Sequence, residues 1–514
     1  MTPATAGTPP VLSRRKRIRS HPLLLDLGFT SAAQISLFVS NLLLISLFAR
    51  FLSAAALAEY LLLRRVVAWL QSGVQLGLLV GIPRYVAHEA AAAEGKPETY
   101  FAAGAACLGV VALGVGLILN LWHRDFARLL FGSSQMNYLI LPLALTVAGL
   151  ALHTAVYGYF RGYLWMNSAN ILQIWNMSLV PILVLLVLVR FRSVALIVNV
   201  TGVITIATSA LVSVPALRRA FKGGNFELIR PLKDLLRYGL ARVPGDFAGA
   251  ALPAVGPMVA AQFMPLSQVS PLLLGTSLMA AASISVAPLG TLLLSKVSAM
   301  AAQNRLEEIR LPLSYMMNGV LEISIFLSLQ LIVFADVVLR VWVGSGFHNA
   351  VPIVRILAFA IPFVLFPVAL RSVIDAVSVK ASNAHNLLIS LAAMLVFIAI
   401  SVVIAPRPFL LVALAVSTVL TLALLAGLTA VTVRRLCQVK PVWRSLAESL
   451  LVNVLLFAVA AAMRGVVGAG TSLVRFIALE IVICGVYLFV LVKRRPEWLQ
   501  FIWQKSFLRQ PIST

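Results

Sequence analysis

About fourteen apolar stretches, each long enough to cross a bilayer, run through this chain almost end to end. Such stretches fix the solvent before any motif is considered. Hydrocarbon offers no partner to a backbone N–H or C=O, so each crossing has to satisfy its own hydrogen bonds as a helix. A large soluble domain is excluded: 61% of the 514 residues are hydrophobic and 11% are charged, and the mean hydropathy is +0.98. That leaves too little polar surface to coat an aqueous exterior. The expected fold class is an all-α polytopic membrane protein.

The expected spans are 27–49, 61–83, 100–120, 137–160, 166–189, 193–215, 238–262, 269–294, 311–335, 352–374, 384–405, 408–431, 447–464 and 473–492. Most connections are short, as between antiparallel neighbours in a bundle. The net charge of +24, from 41 Lys+Arg against 17 Asp+Glu, would suggest nucleic acid in a soluble chain. In a chain of spans it reads as basic residues collected in cytoplasmic loops, where they set orientation. Arg14, Arg15, Lys16, Arg17 and Arg19 precede the first span, and Lys493, Arg494, Arg495, Lys505 and Arg509 follow the last. An even number of spans puts both termini on the cytoplasmic side, in an orientation of bacterial inner-membrane type, with no nucleic-acid partner. Cys107, Cys437 and Cys484 are scattered and provide neither a disulfide framework nor metal spacing. No cofactor motif is present.

The chain also repeats itself. Phe51-Leu52-Ser53 and Phe263-Met264-Pro265 close the first and seventh spans, and Arg84-Tyr85-Val86-Ala87 and Lys296-Val297-Ser298-Ala299 leave the second and eighth. Both comparisons give an offset of about 212 positions. Two pseudo-symmetric six-helix lobes follow, at 27–215 and 238–431, joined by a basic loop at 216–237. A C-terminal helix pair lies at 447–492, and basic tails lie at 1–26 and 493–514. Two lobes related by an axis along the membrane normal are the architecture of a transporter that alternates its access.

Polar side chains inside spans are costly, so their placement is informative. Thr30, Gln34 and Asn41 lie along one face of the first span, with Leu37 interrupting, and Arg64, Gln71 and Gln75 form a similar series in the second. Such stripes either line a wet cavity or act as interhelical glue. Arg64 and Arg65 fall within one or two turns of the outer end of 61–83, from which snorkelling is feasible; Arg64 continues the amide stripe and Arg65 does not. Arg242 and Asp246 open the seventh span at i,i+4 spacing, which allows mutual neutralisation, and Pro244, Gly245, Pro253 and Pro257 predict a kinked or bendable helix there. Arg355 lies near the outer end of the tenth span, and Arg371 and Asp375 near its inner end. Glu322 shares a face of the ninth span with Asn318. Cations outweigh anions in the two lobes, so a cavity would attract an anionic headgroup such as pyrophosphate.

Several segments resemble one family. They are Gly73-Val74-Gln75-Leu76-Gly77 through Gly81-Ile82-Pro83-Arg84-Tyr85-Val86-Ala87, Tyr157-Gly158-Tyr159-Phe160-Arg161-Gly162, Tyr238-Gly239-Leu240-Ala241-Arg242-Val243-Pro244-Gly245, and Phe334-Ala335-Asp336-Val337-Val338-Leu339-Arg340-Val341-Trp342-Val343-Gly344. Their order and spacing resemble the polysaccharide and lipid-linked-oligosaccharide flippases of the multidrug/oligosaccharidyl-lipid/polysaccharide (MOP) exporter superfamily, over roughly residues 24–430. The resemblance implies flipping of a polyprenyl-pyrophosphate-linked saccharide by alternating access, for O-antigen, capsule or exopolysaccharide synthesis. It implies membrane lipid around the chain, and a polysaccharide polymerase and glycosyltransferases as candidate partners. It carries no catalytic signature. The candidate substrate-binding residues are Arg64, Arg242, Arg355, Gln71, Gln75, Gln34 and Asn41, and the candidates for ion coupling are Asp246 and Glu322. A drug/cation antiporter of the same superfamily is the nearest alternative and predicts carboxylates in the lobes. A membrane-embedded saccharide polymerase or ligase would need a sizeable outer loop or clustered acid and base residues, whereas His123 and His348 are isolated.

Overall fold

The computed structural model describes residues 20–92, 95–222, 228–284, 305–378, 381–439, 443–467 and 473–494, with positions 286, 297, 300, 301 and 303. Every regular element among them is helical. The basic tails and the second half of the eighth expected span lie largely outside the described residues.

The first lobe holds α1 (Ser20–Phe51), α2 (Ala54–Val74), α3 (Leu78–Ala91), α4 (Pro97–Leu121), α5 (His123–Phe131), α6 (Ile140–Gly162), α7 (Met166–Ile174), α8 (Val180–Leu188) and α9 (Val194–Lys222). A short amphipathic helix, α10 (Ile229–Gly239), leads into the second lobe. That lobe holds α11 (Val243–Phe263), α12 (Leu266–Ile284), α13 (Arg310–Trp342), α14 (Val351–Ala358), α15 (Ile361–Val377), α16 (Ser382–Ile404) and α17 (Leu410–Cys437). The helices α18 (Trp443–Val467) and α19 (Leu473–Arg494) complete the chain. Among the described residues eleven helices are long and apolar enough to cross a membrane, and thirteen cross if α2 with α3, and α14 with α15, each count as one bent span. The seventh expected span, 238–262, corresponds to α11, which falls outside that count because its glycines, prolines and Asp246 dilute its hydropathy.

Alternation of the spans defines two ends of the bundle. The basic end carries the connections near Lys96, Arg230 and Arg310, and the far end carries those near Phe51, Phe263 and Gly344. Bends have local causes. Between α2 and α3 the chain turns by 45° through two residues of positive φ, Leu76 and Gly77. Helices α7 and α8 are joined by a π-helical segment at Trp175–Leu179.

The repeat is visible in the backbone irregularities. The break between α4 and α5 falls at Trp122 (φ −108°, ψ 39°), and α13 kinks at Phe334 (φ −105°, ψ 15°). The positive-φ glycines Gly132 (φ 84°) and Gly344 (φ 100°) follow, each leading into a 3-10 turn, Ser134–Leu139 and Ser345–Ala350. The offset between these pairs is again about 212 positions.

Packing explains why the recurring segments look as they do. A Cβ on Gly158 would stand 3.1 Å from Ile82, and one on Gly162 2.5 Å from Val86, so the small residues let α6 lie directly on α3. Arg84 stacks over the ring of Tyr238, 4.7 Å from its centre, and Tyr85 meets that ring edge-on. Three of the four segments thus converge around α3 at the basic end. The last helix pair leans on α13 through the stacked rings of Phe326 and Tyr487 and an ion pair between Asp336 and Arg464.

Candidate functional site

Helix α2 starts earlier than expected, at an N-cap where Ser53 accepts a hydrogen bond from the Ala56 N–H at 3.2 Å. Arg64 therefore sits about 15 Å along the helix from that cap, inside the span. Leu62, Leu63 and Val66 bury the other side of the helix and Leu61 and Val67 are buried on either flank, while Arg64 itself is exposed. Its Nη1 donates to Asn41 Oδ1 at 2.5 Å, and its guanidinium lies 5.5 Å from the centre of the Tyr60 ring, itself stacked on Phe48 at 3.8 Å. The structure thus brings Arg64 and Asn41 together, and both of these partners of Arg64 are neutral. An exposed guanidinium inside a span is tolerated where it lines water, because facing lipid would cost several kcal/mol.

Arg65 points the other way. Its Nη2 donates to Thr276 Oγ1 and Ser277 Oγ, both at 3.2 Å, which ties α2 to α12. Position 277 is the repeat-mate of position 65, so the two helices meet where the pseudo-two-fold axis passes between the lobes.

Gln71 and Gln75 occupy a different place. Gln71 satisfies its amide by donating to the Val147 carbonyl at 3.1 Å and accepting from the Ala151 N–H and Gln75 Nε2, each at 3.2 Å. Gln75 also donates to Thr154 Oγ1 at 3.0 Å. Both amides join α2 to α6 inside one lobe, the glue role, and neither shares the Arg64 cluster. The stripe at 64, 71 and 75 is divided because α2 presents its later turns to a neighbouring helix. Gln34 is half-buried on α1, and Thr30 accepts from Asn170 Nδ2 at 3.3 Å.

The expected Arg242–Asp246 pair does not form. Pro244 stands in the first turn of α11, where its missing N–H costs nothing and its fixed φ starts the helix. Arg242 falls in the 3-10 turn ahead of it. The buried Nε of Arg242 has no hydrogen-bond partner. Asp246 instead accepts from Arg371 Nη2 at 2.9 Å, and Arg371 also lies 3.6 Å from Asp375. The main break falls at Leu240–Arg242, and α11 then runs without interruption through Pro253 and Pro257. Since Arg371 and Asp246 are both part-exposed, a double-mutant cycle of Asp246→Asn and Arg371→Ala, read by thermal unfolding, is expected to give a coupling of about 0.5–1 kcal/mol.

Arg355 lies at the far end and donates from Nε to the Ile332 carbonyl at 3.0 Å, an acceptor next to the Phe334 kink. Glu322 is 1% exposed on the seam between α13 and α18, where Asn453 Nδ2 reaches its backbone carbonyl at 3.5 Å. Arg64, Arg242 and Arg355 therefore occupy three separate places. Two far-end clefts of about 240 and 200 Å3 are lined by none of the candidate residues. Sequence reasoning missed Arg50, Gln262 and Trp342, which bridge the lobes at the far end; only the repeat could have pointed to the first two.

No family model matches the sequence, and no curated protein matches it. Solved structures do. The lipid II flippase MurJ in an inward closed conformation aligns over 95% of this chain and 100% of its own, with TM-score 0.69 and 14% identity. An inward-facing multidrug resistance MATE family transporter of the MOP superfamily aligns over 79% of this chain and 99% of its own, with TM-score 0.59 and 13% identity. A eukaryotic MATE transporter aligns over 84% of this chain and 99% of its own, with TM-score 0.59 and 13% identity. The chain has the two-lobed helical fold of MOP-superfamily transporters. At these identities the fold is what is shared.

Proposed function

We propose that this protein is a flippase for an amphiphile with an anionic headgroup, of the polyprenyl-pyrophosphate-linked saccharide class. On this reading it moves the headgroup from the cytoplasmic to the outer leaflet of a bacterial inner membrane by alternating access, with both termini cytoplasmic. The observation that carries the reading is Arg64: a permanent cation, exposed within a membrane-spanning helix, whose partners Asn41 and Tyr60 are neutral. A phosphate oxygen can satisfy the remaining N–H donors of the fork by charge-assisted hydrogen bonds. Arg242, with its unpartnered Nε, would give the headgroup a second cation on the route towards the basic end. Arg355 would act at the far end. Gln34 and Asn41 would contact the sugar or fix Arg64, while Gln71 and Gln75 would support the wall from behind.

The match to MATE transporters favours a second reading, export of cationic drugs. Such an exporter needs a carboxylate open to the path. Asp246 is bonded to Arg371 and Glu322 is buried on the outer seam of its lobe, positions better suited to coupling with an ion gradient than to holding a cationic cargo. A polysaccharide polymerase and glycosyltransferases would supply and consume the cargo.

Reconstitution into liposomes separates the readings. A fluorescent polyprenyl-pyrophosphate saccharide is expected to become accessible to a membrane-impermeant quencher at least about 10-fold faster with protein than without, while a cationic dye is not moved. Dye transport without lipid movement would replace the leading reading by the second.

A further inference from the structure

The far end of the bundle contains a pair of contacts that mirror each other through the repeat. Arg50, in the last turn of α1, donates from Nη2 to the Val341 carbonyl at 2.7 Å. Gln262, near the end of α11, donates from Nε2 to the carbonyls of Arg128 and Leu129, each at 2.9 Å. Positions 50 and 262 are repeat-mates, and so are 129 and 341. In each case the final turn of a lobe's first helix reaches across to the other lobe and caps the C-terminal carbonyls of a helix that ends at a positive-φ glycine, Gly132 or Gly344. The Arg128 carbonyl already accepts from the Gly132 N–H at 3.1 Å, whereas those of Leu129 and Val341 lie in the last turn beyond the reach of the helix ladder, so a side-chain donor there satisfies a need that the receiving helix cannot meet itself. Charge also favours a cation at a helix C-terminus, which suits Arg50.

We propose that these two reciprocal caps are the latches that hold the far end of the protein shut, and that they open together. The two-fold relation couples their release, because the contacts lie on either side of the axis and a lobe that moves away from its mate at this end leaves both. The surroundings fit a closed gate. Trp342 Nε1 donates to the Leu42 carbonyl at 2.9 Å, adding a second bridge between α13 and α1 beside that of Arg50. Gly132 touches α11 so closely that a Cβ would stand 1.9 Å from the Ala261 oxygen. Arg65 closes on Thr276 and Ser277 at the axis, about three helical turns in from the latches. The latches are chemically unequal, one a guanidinium and the other a neutral amide with two acceptors. Since backbone carbonyls are the acceptors throughout, the identity of the receiving side chains is irrelevant and the donors alone set the strength. The inference needs two lobes that move against each other and nothing about the cargo.

Spin labels at Leu121→Cys and Phe409→Cys, exposed far-end positions on the two lobes, test it when Cys107, Cys437 and Cys484 are replaced by Ser. Pulsed electron–electron distances in reconstituted protein are expected to show one short population. Arg50→Ala combined with Gln262→Ala is expected to move a major share of it to a distance longer by several ångströms, with each single variant moving less. Gln262→Arg, which installs the donor its repeat-mate already uses, is expected to keep the short distance, as is Arg50→Lys. An unchanged distribution in the double variant overturns the latches. A shifted distribution in a protein that moves no lipid leaves the latches standing and removes the cargo assignment instead.

Discussion

Arg64→Glu is expected to abolish lipid movement, with the initial rate falling by at least about 100-fold, while Arg64→Lys retains a measurable fraction. A hundredfold corresponds to about 2.7 kcal/mol, within the range for losing one partner of a desolvated, hydrogen-bonded charge pair. The reversal places a carboxylate against the headgroup phosphates and leaves Asn41 Oδ1 facing an acceptor in place of its present donor. Lysine keeps the charge but loses the fork that can hold Asn41 and a phosphate oxygen together. Folding should be little affected, because Arg64 is exposed and its neighbours Leu63 and Val66 carry the packing of α2. The check is the quenching assay on reconstituted protein at matched protein content. Wild-type rates in Arg64→Glu would show that the headgroup passes elsewhere, and faster dye movement in that variant would favour the cationic cargo.

The helical spans were legible in the sequence, because apolar length is a property of one segment and needs no knowledge of its neighbours. The repeat was legible for a related reason: the offset read from Phe51 and Phe263 reappears in the breaks at Trp122 and Phe334 and in Gly132 and Gly344. Side-chain roles were less legible, since they depend on what lies across from a helix face. Gln71 and Gln75 have the spacing of a cavity wall and the same spacing serves to grip α6. Asp246 had two basic candidates within reach, and the i,i+4 rule favours Arg242 only if the helix includes it. Pro244 carried the contrary signal: a proline in the first turn marks where a helix begins, so Arg242 stands outside the ladder and Asp246 is left to Arg371. Arg64 was counted within one or two turns of the end of its span because the span was measured from its apolar run, whereas the helix begins at the Ser53 cap, about three turns before it.

The other large effect concerns the basic end. Gly77→Ala is expected to destabilise the protein by about 2–4 kcal/mol, from two separable causes. Gly77 has φ +70°, and a Cβ there would stand 2.4 Å from the Gly239 oxygen and 2.8 Å from its Cα. Both are backbone atoms, so relief requires α10 to move off the bend between α2 and α3. Gly239 and Gly344 divide the causes. Gly239 has φ −76°, which any residue adopts, yet its Cβ would meet the Leu76 oxygen at 2.1 Å; Gly239→Ala therefore tests the clash alone. Gly344 has φ +100° with open space around it, so Gly344→Ala tests the backbone strain alone, at about 1–3 kcal/mol. Thermal unfolding of the three variants in detergent should rank Gly77→Ala below both others, with Gly239→Ala also well below wild type. If Gly239→Ala unfolds like wild type, the two glycines do not hold α10 against the bend, and the recurrence of Gly77 and Tyr238-Gly239 in the chain's recognisable segments needs another cause. If it unfolds early, those segments are the two halves of one backbone contact at the basic end, opposite the caps of Arg50 and Gln262.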